Sequence, residues 1–286
     1  MLPRYTNERF DRWFAKRPVT AVCDRRNNRN PAVIDRRYSE VILWDDTFIR
    51  YNEPHIGIAA VKVLEALGLH VSLVRGRKCC GRPAFSQGNL DLAAKLGHYN
   101  VSQLSTNASP ARTNSQLPII FLEPSCYSMF AEDYRELKIP GAESIAQRSV
   151  LFEKFVDDLL EREPERARFR RRDASVAIHA HCHAKSILDP AFMARLVEKL
   201  PGRTAEVLDT GCCGMAGAFG MMETKRELSL QVARSMLEKI HAEGENVTVV
   251  ASGTSCRHQI SELSQVRPLH MAEFLAESLA QPLPSS

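Results

Sequence analysis

Two stretches of this chain carry adjacent cysteines followed by glycine. Cys212-Cys213-Gly214 lies in Thr210-Gly211-Cys212-Cys213-Gly214-Met215, and Cys79-Cys80-Gly81 lies 133 residues earlier in Lys78-Cys79-Cys80-Gly81-Arg82-Pro83. A thiol that only fills a core needs neither a cysteine neighbour nor a flanking glycine. Two thiolates that must face one small inorganic centre need both, because glycine lets the backbone turn tightly and approach the ligand. Cys126 and Cys256 follow the same repeat at an offset of 130, and Cys182 has its counterpart in Thr47, 135 residues earlier. The first copy therefore lacks one thiol. Cys23 matches nothing in the repeat and reads as a bystander.

In the second copy Cys182, Cys212, Cys213 and Cys256 offer four thiolates. That set suits a 4Fe–4S cluster, whose irons take soft anionic sulfur ligands. Other readings of the same residues stay open. They could be buried structural cysteines, a zinc site, or a strained vicinal disulfide switch. Zinc is favoured by His179, His181 and His183, which share one face if the strand persists through them, and disfavoured by the lack of any C-x2-C pair. Met215, Ala216, Phe219 and Met221 are expected to keep solvent from the centre, and Lys185 and His258 to support its negative charge. The first copy offers Cys79, Cys80 and Cys126, with Asp46 and Glu123 as neighbouring oxygen donors. It reads as a degenerate site kept for folding, a cluster with a non-cysteine ligand, or a cluster with an open iron.

The elements that must position these residues alternate. Apolar runs at 40–44, 70–74 and 118–122 read as strands, with helices at 54–68 and 89–104 between them. The order recurs in strands at 175–179, 205–208 and 246–251 and helices at 190–200 and 223–241, with a last helix at 271–280. Residues 150–161 look helical and lead into an arginine-rich linker. The chain thus divides into an N-terminal arm (1–37), a first repeat (38–140), a helix with linker (141–172) and a second repeat (173–286). The expected fold is α/β, two pseudo-symmetric repeats, each a small mainly parallel sheet flanked by helices. In such sheets ligands bind beyond the carboxyl ends of the strands, and every matched cysteine lies there.

Composition narrows the setting. A chain of 286 residues, 44% apolar and 25% charged, can bury full cores, and no apolar run reaches the roughly 20 residues that cross a bilayer. The first ten residues do not resemble a secretory signal, so cytoplasm is the expected compartment, where patterned cysteines serve metals or redox chemistry. The net charge of +4 is mild, and no nucleic-acid motif is present. Arginines cluster at 25–26, 36–37 and 162–172, as solvated loops or as a docking surface for an acidic partner.

At these residues a family resemblance enters. The paired Cys-Cys-Gly repeats resemble the cysteine-rich CCG domain found in subunits of heterodisulfide reductase and of anaerobic glycerol-3-phosphate dehydrogenase, and in the glycolate oxidase iron–sulfur subunit. Trp44-Asp45-Asp46-Thr47-Phe48, Arg50-Tyr51-Asn52-Glu53-Pro54, Glu123-Pro124-Ser125-Cys126, His181-Cys182-His183-Ala184-Lys185 and Ser252-Gly253-Thr254-Ser255-Cys256-Arg257-His258 are similar to the C-terminal iron–sulfur part of FAD-linked D-lactate-type 2-hydroxyacid dehydrogenases. The resemblance runs from about Arg9 to Leu279. It implies an oxidoreductase component that relays electrons from a flavoprotein dehydrogenase partner to an acceptor through one 4Fe–4S cluster, with a second possible. No G-x-G-x-x-G fingerprint is present, so FAD is expected on a partner or on a segment outside this one. No transmembrane segment is expected, and peripheral membrane association is compatible with the sequence. Wider-family sites can present five cysteines; Glu123, Gly253 and Thr47 stand at three of those positions here. That speaks against a five-cysteine noncubane cluster and its disulfide-reductase chemistry. A heterodisulfide or thiol reductase component, or a zinc-stabilised interaction module, is the alternative.

Overall fold

The computed structural model describes residues 4–17, 40–106 and 117–280, so Cys23 and most of the expected N-terminal arm lie outside the described residues. Helix α1 (Phe10–Lys16) precedes the first sheet and packs on its first long helix. Strand β1 (Glu40–Trp44) is central, paired in parallel with β2 (His70–Leu73) and β3 (Ile119–Phe121). Val41, Ile42, Leu43 and Trp44 are all buried, as the continuous apolar run of a strand covered on both faces requires. Parallel neighbours need crossovers. Those here are α2 (Thr47–Tyr51) and α3 (Pro54–Ala66) before β2, and α4 (Arg82–Ser86) and α5 (Leu90–Thr106) before β3. Beyond β3 come α6 (Pro124–Ser128), one π-helical turn, α7 (Tyr134–Glu136) and α8 (Ala142–Ala146).

Strand β4 (Ser149–Leu151) and helix α9 (Phe152–Arg162) follow. The apolar periodicity predicts helix from residue 150, but Val150 pairs in parallel with Ile120 and completes the order β2-β1-β3-β4. Sheet pairing, a long-range contact, overrides the local helical pattern there.

The second repeat copies the first. Strand β5 (Ala174–Ile178) is central between β6 (Arg203–Val207) and β7 (Thr248–Val250), both parallel to it. Its helices are α10 (Cys182–Ile187) and α11 (Ala191–Glu198) before β6, α12 (Glu223–Ala242) before β7, then α13 (Thr254–Leu263) and α14 (Met271–Ser278). The correspondence extends to the last segment: Leu269 makes a parallel bridge to Val250, where the first repeat has Val150 against Ile120.

The two repeats exchange their last helices. Helix α9 of the first packs on α11 of the second, and α14 of the second packs on α3 of the first. Helix α3 is therefore covered on two sides. The sequence suggests one apolar face through Ile58, Val61, Leu64, Ala66 and Leu67; instead Ala66 is exposed and Ile58 half-buried, while Ile56, Ala60 and Val63 are buried as well. One apolar core consequently runs through both repeats, from Phe10 and Leu43 to Ile178, Leu196 and Met271. A smaller cluster under the second sheet packs Cys213 and Cys256 with Met236 and Ile260.

Candidate metal centre

Each cysteine sits at the carboxyl end of a strand, and each is placed by a helix start or a glycine turn. Cys182 is the first residue of α10, directly after β5, and Thr47 holds the same place in α2 after β1. The preceding residues cap these helices in the same way. Asp46 Oδ1 accepts from the N–H groups of Phe48 (2.8 Å) and Ile49 (3.1 Å), and His181 Nδ1 accepts from His183 N–H (3.1 Å). The three histidines therefore do not alternate on a strand as the zinc reading needs. The strand ends at Ile178, because His181 begins capping a helix. Cys126 and Cys256 are each third in their helices, α6 and α13, where the positive helix end favours thiolate.

The glycine turns carry the paired cysteines. Gly214 has φ +89°, and a Cβ there would lie 2.1 Å from the carbonyl oxygen of Ser229 on α12. Its N–H donates to Cys212 Sγ at 3.3 Å. In the first repeat Gly81 (φ +92°) opens α4.

The structure brings the first-repeat sulfurs together: Cys80 and Cys126 lie 3.1 Å apart, both buried, with Cys79 half-buried beside them. A feature the sequence reading missed holds this turn. Asn100, fully buried on α5, donates to Cys79 O (2.9 Å) and accepts from Lys78 N–H (2.9 Å). The signal was a polar residue within the buried stripe Ala93, Gly97, Val101 and Leu104. Tyr134 Oη donates to Cys80 O at 2.7 Å.

In the second repeat the four thiols influence one another in order, Cys182 with Cys212, Cys212 with Cys213, and Cys213 with Cys256. Electrostatics separates the two sites. Hydrogen bonds from Cys182 and Cys213 pull Cys212 well below the ordinary thiol range, and Cys213 together with nearby His181 and His179 does the same for Cys256. Cys182 and Cys213, as the donors, are raised. The first site has no lowered thiol. The contact with Cys80 favours the Cys126 thiolate, but burial and the carboxylates of Asp46 and Glu123 outweigh it and push Cys126 up to about 11. His179 and His181 favour thiolate in the second site, whereas Asp46 and Glu123 disfavour it in the first.

The oxygen donors also divide. Glu123 is committed: Oε1 accepts from Ser125 N–H (3.1 Å) and Oγ–H (2.7 Å), and Oε2 from Thr254 N–H (2.9 Å). Burial alone would raise it, yet nearby His181 and these hydrogen bonds hold it below the usual carboxylate range. Asp46 Oδ2 is buried with no hydrogen-bond partner among the described residues, and burial with the Glu123 charge pushes Asp46 up to about 7.

Lys185 donates to Thr210 O and so ties α10 to the cysteine loop, while His258 faces Glu53 at 3.9 Å. Of the expected solvent shield, Met215 is buried and Phe219 half-buried, but Ala216 and Met221 are exposed because the loop bulges outward there. Gly253 has no room for a further cysteine: a Cβ would meet His181 Cδ2 at 2.1 Å.

The two sites adjoin. Helix α6 packs against α10, and Arg82 Nη2 donates to Ser128 Oγ (2.6 Å), itself 3.1 Å from His183 Nδ1. Arg257, buried, donates to Glu53 Oε2 (2.8 Å) and to Ser252 O (2.6 Å), which pins the Cys256 loop to the start of α3.

The donor set fits an iron–sulfur centre, with soft sulfurs at three strand ends in a half-buried setting beside histidines. Among the described residues no three His, Cys, Asp or Glu side chains are disposed as ligands of one metal ion.

The family model of a cysteine-rich domain, CCG, matches residues 47–131 and 176–261, the two repeats. The chain is 25% identical over 280 residues to a subunit of the anaerobic glycerol-3-phosphate dehydrogenase of Escherichia coli, covering 98% of this chain and 66% of that protein. It is 27% identical over 249 residues to D-2-hydroxyglutarate dehydrogenase of Pseudomonas putida, covering 85% of this chain and 23% of the relative. Lactate utilization protein A of an Exiguobacterium species is 25% identical over 236 residues, covering 80% of this chain and 93% of the relative. The chain thus spans just under two thirds of the Escherichia coli relative.

Proposed function

Because this chain belongs to the family of cysteine-rich (CCG) domains, we propose that it is the iron–sulfur electron-transfer component of an oxidoreductase, working with an FAD-linked dehydrogenase of the D-2-hydroxyacid type. The observation that carries this reading is the convergence of Cys182, Cys212, Cys213 and Cys256 from three strand ends, with two of the four favoured as thiolates. These four would hold a 4Fe–4S cluster, which supplies a one-electron relay when bound. This chain's own residues orient the sulfurs through the caps of α10 and α13. They place His179 and His181 against the negative charge and exclude water with Met215 and Phe219.

Cys79, Cys80 and Cys126 form the second site. Of its two oxygen donors, Asp46 is the fitting fourth ligand, since Oδ2 is buried and unpartnered while Glu123 is fully engaged. The contact of α6 with α10 makes the two sites neighbours, the arrangement a relay requires. The names of the relatives support a dehydrogenase setting. The hydroxyacid type and the flavoprotein partner rest on the resemblance, and FAD is assigned to a partner or to a segment outside this one because the sequence lacks a G-x-G-x-x-G fingerprint. The described residues contain no helix long and apolar enough to cross a membrane.

Anaerobic purification with iron, sulfide and zinc quantified beside a visible spectrum tests the reading. About four irons and four sulfides per chain are expected for one cluster and about eight for two. Colourless protein with one zinc would sink it.

A further inference from the structure

The end of the second sheet opposite the cysteines carries a cavity of about 270 Å³. Ala174, Arg203 and Thr248, the first residues of β5, β6 and β7, line it, so it opens at the amino ends of the strands whose carboxyl ends lead to the thiols. Its character is basic on one side and apolar on the other. Arg170, Arg171, Arg172 and Arg203 line it, and so do Leu269 and Phe274.

The charges are poorly balanced. Arg203 is only 9% exposed, and its Nε has no hydrogen-bond partner among the described residues. Its other nitrogens donate to neutral acceptors, Arg172 O and Ser278 Oγ. Arg170 donates to the Glu277 carbonyl, not to its carboxylate. Arg171 pairs with Asp173 at 3.3 Å, but both side chains are largely exposed, where such a pair contributes little. One carboxylate, that of Glu277, lines the cavity beside the four cations. Burial and the neighbouring Arg172 draw Arg203 below its ordinary value, and the exposed Asp173 offsets this only in part. A buried arginine without an ionic partner is costly to a fold unless something else uses it.

We propose that this cavity is a binding site for the phosphate group of a small phosphorylated ligand, held by Arg170, Arg171, Arg172 and Arg203, with Leu269 and Phe274 against the ligand's apolar part. A dianion answers the surplus of cations better than a carboxylate does, and guanidinium forks match phosphate oxygens in pairs. The volume admits a phosphate with a few carbons rather than a nucleotide. The site is independent of the cysteine centre, and its test does not depend on loaded iron.

The experiment is calorimetric titration of the full chain with inorganic phosphate at constant ionic strength, with chloride as control. Parallel arms use a short-chain alkyl phosphate and sedimentation with vesicles of phosphatidylcholine alone or with phosphatidic acid. Saturable one-to-one phosphate binding is expected. Arg172→Gln should weaken it by about tenfold or more, and Arg234→Gln on exposed α12 should leave it unchanged. Arg203→Met should abolish it. Because that change also removes the ties to Arg172 and Ser278, the Arg172→Gln result decides if Arg203→Met fails to fold. Tighter binding of the alkyl phosphate than of phosphate assigns a soluble ligand. Sedimentation only with phosphatidic acid, competed by phosphate, assigns a lipid headgroup. No saturable binding, or equal weakening by Arg172→Gln and Arg234→Gln, overturns the proposal.

Discussion

Glu123 Oε2 accepts a hydrogen bond from the backbone N–H of Thr254 at 2.9 Å, across 131 residues of chain. The same carboxylate caps α6 through Ser125, so one side chain holds the starts of both Cys126- and Cys256-bearing helices. Gly253 stands at the position in the second repeat that Glu123 holds in the first, and its missing side chain leaves space for His181. The repeats thus meet through residues at which they differ.

Removing that carboxylate should loosen both sites. Glu123→Ala leaves the N–H groups of Ser125 and Thr254 without their acceptor and is expected to destabilise the protein by about 2–4 kcal/mol. Urea unfolding measures this, and iron analysis should show loss at both centres. Loss confined to the first site would contradict the bridging role.

Glu153, fully buried on α9, has neither carboxylate oxygen hydrogen-bonded among the described residues, and burial raises it to about 7. The folded state therefore holds this proton more tightly than the unfolded state does. Stability falls as pH rises from about 4.5 to about 7, by at most about 3 kcal/mol, and stays lowered above that window. Glu153→Gln should raise the unfolding midpoint at pH 8 and leave it nearly unchanged at pH 4.5. A midpoint difference independent of pH would refute the titration.

Gly214→Ala sets a Cβ 2.1 Å from Ser229 O on a backbone with φ +89°. A loss of about 2–4 kcal/mol is expected from the collision and the left-handed backbone together. Gly217→Ala shares the positive φ but has nothing within 4 Å and should lose less in the same denaturation experiment.

The thiols can be tested singly. Cys212→Ser should remove about four irons per chain, whereas Cys23→Ser should leave iron unchanged. Retained iron in the first variant would break the proposed ligand set.

Asp46→Ala should empty the first site alone, a fall of about four irons in protein that holds two clusters. Asp46→Cys is expected to restore much of that iron, since a thiolate replaces an oxygen ligand. Equal iron in wild type and Asp46→Ala would assign the fourth position to another group.

The repeat, the parallel strands and the seven cysteines at strand ends are written locally in the chain. Cys-Cys-Gly spacing, apolar runs such as Val41–Trp44 and helix punctuation such as Pro54 and Gly68 need no distant partner to be read. Tertiary structure decided what depends on residues meeting across the chain. Residues 149–151 became strand because Ile119, Ile120 and Phe121 were there to pair with them. The exchange of α9 and α14, the engagement of Glu123 by Thr254, and the Arg257–Glu53 contact across 204 residues all join the two repeats. Charge balance belongs to this second class. Asp46 and Glu123 raise the first-site thiol Cys126, while His179 and His181 favour thiolate in the second site, although both repeats carry the same motif. Motifs place sulfur along the chain, but the local potential is the sum over every group that folding brings near, and only the folded chain fixes that sum.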